Sequence, residues 1–484
     1  MENIILHNKT LADALKDEAS YLLERQKHTR YQMLVPPTRK VRRILIDKAA
    51  FLITVDEKEK LQVKRGYSIY IVDGVIKDVF PARQKKVPLE KIDLLYDAGK
   101  RGGVVITPGF INGHAHPPMY LLRSSMTLDK GNVVDQVAKM ATLEAKMNDD
   151  DFFLGAVGDF TEEQKNGITT VLSHYATFDP IERAARITRQ HVINAVSAVS
   201  NSHPQNSPEM VEKILKNRKK YYSTPAIAIH YVHRANSAQV KKVRELAKKY
   251  KVLLTMHAAE TEEWVQDCVE RYGKRTIETL VDLGLAGPQT VLSHVVHVTD
   301  DEIGLIKKYG IGVVHLPTSN KLHRSGEFKY PLFAKHKADH QIMLGTDSVI
   351  SKNSLDLLSE ALQARIMHQH TYRVLYEDLF KMMTSQGAKV LRLGKVGKIL
   401  PGYRANIAFW KLRDRGFMPF NESKPISLVG NMVTHGGKNI RDLMINGEFV
   451  ISNRLHNVVN ESKLMSELQM AHTRLRKRLK KEEL

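Results

Sequence analysis

Cysteine is almost absent. Cys268 is the only one in 484 residues, which excludes an intrachain disulfide framework and any metal site built on several thiolates. A metal held by this chain must therefore sit on nitrogen and oxygen. Long apolar runs are missing as well: no stretch approaches the ~20 apolar residues needed to cross a bilayer. The opening residues, Met1-Glu2-Asn3-Ile4, lack the basic start and apolar segment of a secretory leader. Together these absences lead us to expect a cytoplasmic protein without a membrane partner. Acidic residues are in deficit, 53 Asp and Glu against 74 Lys and Arg, for a formal charge of +21. Such a surplus raises the question of a nucleic-acid partner. The basic residues are dispersed, however, with short runs at Arg218-Lys219-Lys220, Lys241-Lys242, Lys248-Lys249 and 474–481. Most fall on expected outer helix faces, so solvation or attraction of an anionic substrate is the preferred explanation and nucleic acid is not the expected partner.

What is present divides into five stretches. Residues 1–40 read as a polar, helix-prone extension. From 41 to 103 short strands dominate, and Asp73-Gly74 between two apolar runs marks a hairpin. From 104 to 395 apolar runs alternate with amphipathic stretches such as Ser237–Tyr250 and Asp300–Tyr309, the pattern of parallel strands joined by crossover helices. Eight strand candidates can be counted: 104–106 leading on to His116, then 169–173, 192–199, 226–230, 252–257, 290–294, 311–315 and 342–345. Eight units in about 290 residues match a (β/α)8 barrel. Strands return over 396–455, with a second turn at Asn446-Gly447, and are expected to pair with 41–103 in one small β-sandwich. Residues 456–484 read as a basic helical tail. The expected fold class is thus α/β, a TIM-like barrel with a small β-sandwich built from segments before and after it.

The chemistry begins with His114-Ala115-His116. On a strand, residues i and i+2 face one side, so both imidazoles can reach one metal. The signal is weak alone, since 21 histidines are present and chance supplies roughly one such pair. A decoy exists at His368-Gln369-His370. It lies in a helical stretch, where i and i+2 do not share a face. His257 ends the strand 252–257, and Glu260, a carboxylate suited to general acid–base work, follows three residues later. His294 ends the next strand. Asp347 closes the eighth, in Leu344-Gly345-Thr346-Asp347. Each has a bland reading: a histidine packed under a loop, an Asp capping the next helix. Their shared placement at C-terminal strand ends, where barrel enzymes keep their sites, favours a metal centre.

In order along the chain, these residues lie within longer motifs. They are 108–116 (Pro-Gly-Phe-Ile-Asn-Gly-His-Ala-His), Gly167-Ile168-Thr169-Thr170, His257-Ala258-Ala259-Glu260-Thr261, Leu292-Ser293-His294, His315-Leu316-Pro317-Thr318-Ser319-Asn320, Gly345-Thr346-Asp347 with Asn353-Ser354-Leu355-Asp356, and Gly397-Lys398-Ile399-Leu400-Pro401-Gly402. The set resembles the amidohydrolase superfamily from about Arg42 to Arg454. It is closest to the branch of S-adenosylhomocysteine/methylthioadenosine, guanine and cytosine deaminases and triazine hydrolases.

The resemblance implies that His114, His116, His257 and Asp347 bind one divalent ion, zinc first and iron as the other candidate. It implies that Glu260 shuttles a proton and that His294 holds the attacking hydroxide. Glu144, in Leu143-Glu144-Ala145-Lys146, and His230, ending the fourth strand, are implied substrate contacts. Two-metal members carry a bridging lysine at the end of strand three or four, and neither strand offers one here. Two stretches depart from the family pattern, Ala228-Ile229-His230-Tyr231 and Lys321-Leu322-His323-Arg324, and both lie at the expected pocket mouth. For His203, His233 and His323, surface or packing roles are the preferred readings. The implied activity is hydrolytic deamination of an amino-substituted heterocycle, such as a purine or modified nucleoside, by a small-molecule enzyme that is a homo-oligomer by analogy. Two alternatives stay open. One is hydrolysis of another leaving group (chloride, thioether) or of a cyclic amide. The other is a non-catalytic barrel that binds nucleic acid through its basic surface.

Overall fold

The structure, a computed structural model, describes residues 30–34, 41–125, 133–200, 203–352 and 354–479. Eight parallel strands form one sheet in sequence order: β1 (Phe110–Ala115), β2 (Ile168–Tyr175), β3 (His191–Ser197), β4 (Thr224–Tyr231), β5 (Leu254–Ala258), β6 (Thr290–His294), β7 (Gly312–His315) and β8 (Ile342–Leu344). Nearly every residue of these strands is buried, as expected of a parallel sheet covered by helices. The ends of the sheet meet. The amide of Thr346 donates to Asn112 Oδ1 at 3.0 Å, and that of Asp347 donates to the His114 carbonyl at 3.0 Å. The sheet is a nearly closed barrel, so all its C-terminal strand ends form one ring.

The first barrel strand begins later than the sequence suggests. Val104–Pro108 belongs instead to a second, ten-stranded sheet, where it runs antiparallel to Ile407–Lys411. Pro108-Gly109 divides the two ladders, because proline ends one row of donors. Only glycine fits after it: a Cβ on Gly109 would lie 2.2 Å from the Thr169 side chain. The second sheet mixes strands from before the barrel, including Arg43–Val55 and Leu61–Val72, with strands from after it, including Ile440–Ile445 and Glu448–Ser452. Ile46, Leu52, Ile69, Tyr96, Ile106 and Phe409 build its core.

The expected helical extension at 1–40 lies mostly outside the described residues. Within it, Tyr31–Met33 is a strand, antiparallel to Leu94–Asp97. The unpaired edge of that strand offered hydrogen bonds that a helix could not use.

Two helices follow the His114/His116 segment: α1 (Val133–Glu144) and α2 (Asp149–Lys165). Asn148 starts α2 with a reciprocal capping box, its side chain accepting from the Asp151 amide while Asp151 accepts from the Asn148 amide. The short helix α3 (Pro317–Leu322) follows β7. The basic tail forms α4 (Glu461–Arg478). It is docked rather than loose. Leu464, Leu468, Ala471 and Leu475 are buried, Arg478 Nη2 pairs with Asp151 Oδ2 at 2.5 Å, and His472 Nδ1–H donates to the Leu121 carbonyl at 2.9 Å. That carbonyl lies in the turn Pro117–Leu122 that follows His116, so the tail braces the His114/His116 segment from outside. Leu464→Ala should destabilise the protein by about 2–4 kcal/mol, read as a clear drop in thermal midpoint; an unchanged midpoint would mean that α4 contributes nothing to the fold.

Candidate metal centre

His114 and His116 extend from the end of β1 into the ring of strand ends. Their Nε2 atoms lie 3.1 Å apart, and His257 Nε2 lies 3.4 Å from His116 Nε2. Asp347 Oδ1 is 3.4 Å from His116 Nε2 and 3.8 Å from His114 Nε2. The backbone decides what these nitrogens carry. His116 Nδ1–H donates to the His174 carbonyl at 2.7 Å, and His257 Nδ1–H donates to the His230 carbonyl at 3.0 Å. Burial pushes the pKa of all three rings down, favouring the neutral form. Each anchored ring therefore turns an unprotonated Nε2 toward the other. Two lone pairs at that distance cannot hydrogen-bond, and only a Lewis acid between them satisfies both. The donor set, three imidazoles and one carboxylate with no thiolate, fits a divalent ion such as zinc.

Asp347 is fixed by three donors. Its Oδ1 accepts from the Ser348 amide at 2.9 Å, and its Oδ2 accepts from Ser319 Oγ and from Ser351 Oγ, the latter at 3.2 Å. Burial works against its charge, while the surrounding imidazoles, His116 foremost, hold its carboxyl well below the usual range. Three residues at or just beyond strand ends at the site, Ala259, His294 and Asp347, have φ of 47°, 70° and 60°, a left-handed conformation that few non-glycine residues adopt. Gly345 lets β8 approach closely, since a Cβ there would sit 2.9 Å from the His114 amide nitrogen.

Glu260 and His294 face the same space. Glu260 Oε2 accepts from the Tyr231 hydroxyl at 2.8 Å and lies 3.5 Å from His294 Nε2. His294 Nδ1–H donates to Asn320 Oδ1 at 2.8 Å, which leaves its Nε2 as an acceptor. Glu260, Tyr231 and His294, with His116, His257 and Asp347, border a cavity of about 290 Å³ walled on one side by Met119 and by Val133, Val137 and Met140 of α1. Glu144 and His230 border it too. Burial pushes the Glu144 carboxyl up to about 7, with the neighbouring Tyr175 hydroxyl opposing. His230 Nδ1 accepts from Arg234 Nη1 at 3.3 Å, so its Nε2 carries the proton.

The decoy pair separates because its helix ends at His368 and His370 lies in the turn beyond. His368 is buried beside His315, with the Nε2 atoms 3.3 Å apart, and His370 is exposed. The sequence reading missed His174. It lies one residue before the end of β2, beside the cluster, its ring centroid 4.6 Å from that of His257, and neither ring nitrogen has a hydrogen-bond partner. The signal was available, because β2 runs two residues past the expected end at Ser173. Tyr231, Asn320, Ser319 and Ser351 were also missed, being contacts that only the folded chain creates. His323, read as a surface or packing residue, is buried and hydrogen-bonded to Ser351.

Residues 105–450 match the model of the amidohydrolase family. The chain belongs to that family. Among curated relatives, it is 28% identical over 438 residues to a 5-methylthioadenosine/S-adenosylhomocysteine deaminase of Syntrophomonas wolfei, covering 88% of this chain and 97% of the relative. It is equally 28% identical over 414 residues to the enzyme of that name from Thermococcus kodakarensis, covering 80% and 93%. Its fold is that of an adenosine deaminase from Xanthomonas campestris with bound zinc (TM-score 0.81, 22% identity, 90% of this chain and 98% of that one). It also matches an atrazine chlorohydrolase from Arthrobacter aurescens complexed with zinc (TM-score 0.78, 18% identity, 89% and 100%). Among the described residues, no helix is long and apolar enough to cross a membrane.

The cluster makes a direct prediction. Purified protein should carry roughly one equivalent of divalent metal, and His257→Ala should lose nearly all of it while His370→Ala keeps it, as read by elemental analysis. Full metal content in the His257 variant would overturn the donor set.

Proposed function

We propose that this amidohydrolase family member is an aminohydrolase that replaces an exocyclic amino group of a purine-like heterocycle with oxygen and releases ammonia. The observation that carries this reading is the convergence of three neutral imidazoles and Asp347 on one point, with Glu260 and His294 facing the same cavity. His114, His116, His257 and Asp347 would hold the ion, zinc first and iron as the other candidate. When bound, the ion supplies Lewis acidity and lowers the pKa of a water toward neutrality.

The chain's own groups supply the rest. Asp347 Oδ1 faces the donor set and can take a proton from the attacking water, while the donors on its other edge keep it ionised and oriented. His294 Nε2, the acceptor nitrogen of that ring, holds a water proton and so directs its oxygen at the carbon bearing the amine. Glu260, anchored through Tyr231, gives a proton to the ring nitrogen beside that carbon, so that negative charge does not build there as the carbon becomes tetrahedral. The amino group then leaves as ammonia after taking up the proton held by Asp347, and the hydroxyl proton left on that carbon passes to Glu260 as the C=O forms. Overall one water is consumed and one C–N bond is replaced by a C–O bond.

His230 and Glu144 are proposed substrate contacts. His230 would donate Nε2–H to a ring or sugar acceptor. Glu144 would accept from hydroxyl groups, a role that needs its carboxylate form. The names of the curated relatives make methylthioadenosine, S-adenosylhomocysteine and adenosine the first compounds to test, followed by guanine and aminated triazines. Release of chloride or thiol instead of ammonia across that panel would favour the alternative leaving-group reading. We further propose a small-molecule enzyme with no nucleic-acid partner, homo-oligomeric like others of its kind.

Two measurements test the roles. Glu260→Gln should keep its metal and lose at least about 10²-fold in kcat; wild-type turnover would remove Glu260 from the chemistry. Because burial raises the Glu144 pKa to about 7, its binding-competent carboxylate is lost as pH falls through that value. KM should rise below about pH 7, and Glu144→Gln should flatten that limb; a KM limb that persists in the variant would assign it to another group.

A further inference from the structure

The hydrogen bonds that hold Asp347 reach past its immediate neighbours to a histidine with no part in the chemistry. His323 caps α3, four residues after Ser319, so the two share one face of that short helix. Ser319 touches Asp347 directly. His323 reaches it at one remove: its Nε2 lies 2.8 Å from Ser351 Oγ, and Ser351 Oγ donates to Asp347 Oδ2 at 3.2 Å. On its other edge, His323 Nδ1 hydrogen-bonds Oε1 of the Gln136 side chain. Gln136 lies on α1, the helix that walls the cavity. All four side chains are buried, none more than 6% exposed.

Counting protons gives the chain a direction. Ser351 has one hydroxyl proton. If it were given to His323, Ser351 would face the Asp347 carboxylate with a lone pair only. The charge of Asp347 favours the opposite arrangement. Ser351 then donates to Asp347, His323 Nε2–H donates to Ser351, and Nδ1 accepts from the Gln136 amide, turned end for end so that its N–H₂ replaces the Oε1 that faces Nδ1. Every donor in that line points toward the carboxylate, and each bond polarises the next. We infer that His323 is a positioning residue that acts through Ser351 to orient Asp347, and that its bond to Gln136 ties that orientation to the helix covering the substrate. This rests on the role proposed above for Asp347.

The test uses the full-length, zinc-loaded protein and two readouts. The first is the rate at which zinc is lost to EDTA; the second is kcat and KM with 5-methylthioadenosine. His323→Leu fills the space but breaks both bonds. It should release zinc about tenfold faster and lower kcat by a similar factor, with KM changed by less than about twofold. His323→Gln, whose amide nitrogen can take the place of Nε2, should restore most of both. Ser351→Ala should reproduce the Leu variant, and supplies the test if that variant fails to fold. Wild-type zinc retention in His323→Leu, or equal damage in the Gln and Leu variants, would overturn the inference and leave His323 a packing residue. If Asp347→Asn keeps zinc and turnover, the role of Asp347 falls. If it loses both while His323→Leu behaves as wild type, only the present inference falls.

Discussion

Two neutral imidazoles, His116 and His257, turn unprotonated Nε2 atoms toward each other 3.4 Å apart at the mouth of a nearly closed barrel, with His114 beside them. Two lone pairs at that distance repel, and the neighbouring strands hold both rings in place. An imidazole free to rotate would turn a ring N–H toward its neighbour and relieve the conflict. His116 and His257 cannot, because each has committed its Nδ1 proton to a main-chain carbonyl of the adjoining strand. Those carbonyls, of His174 and His230, belong to β2 and β4, and their positions follow from strand pairing. The tautomer of these two rings is thus set by barrel geometry rather than by a dedicated side chain.

Closure of the barrel completes the set. Asp347 lies more than two hundred residues from His114 in sequence, yet its amide donates to the His114 carbonyl. Asn112 stitches the same seam, accepting from the Thr346 amide and donating to Thr346 Oγ1 at 2.7 Å. The carboxylate is brought to the imidazoles by the bonds that join the last strand to the first. The left-handed backbone at Ala259, His294 and Asp347 is the local cost of ending three strands with side chains aimed at one volume. Strain of this kind persists only where the surrounding contacts over-determine it, and the buried strands on either side do so.

This division explains what the sequence could disclose. The eight-strand alternation, the pair at 114 and 116, and the strand-end residues 257, 294 and 347 were legible because they depend on periodicity and on where strands stop. The helical decoy at 368–370 was separable for the same reason. His174 was lost through a two-residue error in the end of β2, which is where periodicity carries least information. The start of β1 was misread because Val104–Pro108 and Phe110–Ala115 are equally apolar, and only partner strands distinguish the two ladders. Tyr231, Asn320 and His323 stood inside quoted stretches without a catalytic or positioning role, and Ser351 was not singled out. Each acts by touching a residue 26 or more positions away, or, for Ser351 on Asp347, by a turn whose outcome depends on strained backbone.

The legible and illegible parts also differ in what they govern. The proposed metal side is held mostly by main-chain carbonyls, which any side chain on the neighbouring strand would supply equally well. It can therefore survive extensive change elsewhere, and the fold is shared with proteins only 18–22% identical. The opposite wall is side chain against side chain: Val133, Val137 and Met140 of α1, Tyr231 with Arg234 stacked on its ring at 4.8 Å, and Gln136 against His323. Single substitutions reshape such contacts. The places where this chain departs from its family's usual pattern, around His230 and around His323, both fall on that wall and not among the imidazoles. Selection among substrates is thus free to change there while the hydrolytic chemistry stays fixed, except through the line from Gln136 to Asp347, where a change in the wall is felt at the carboxylate.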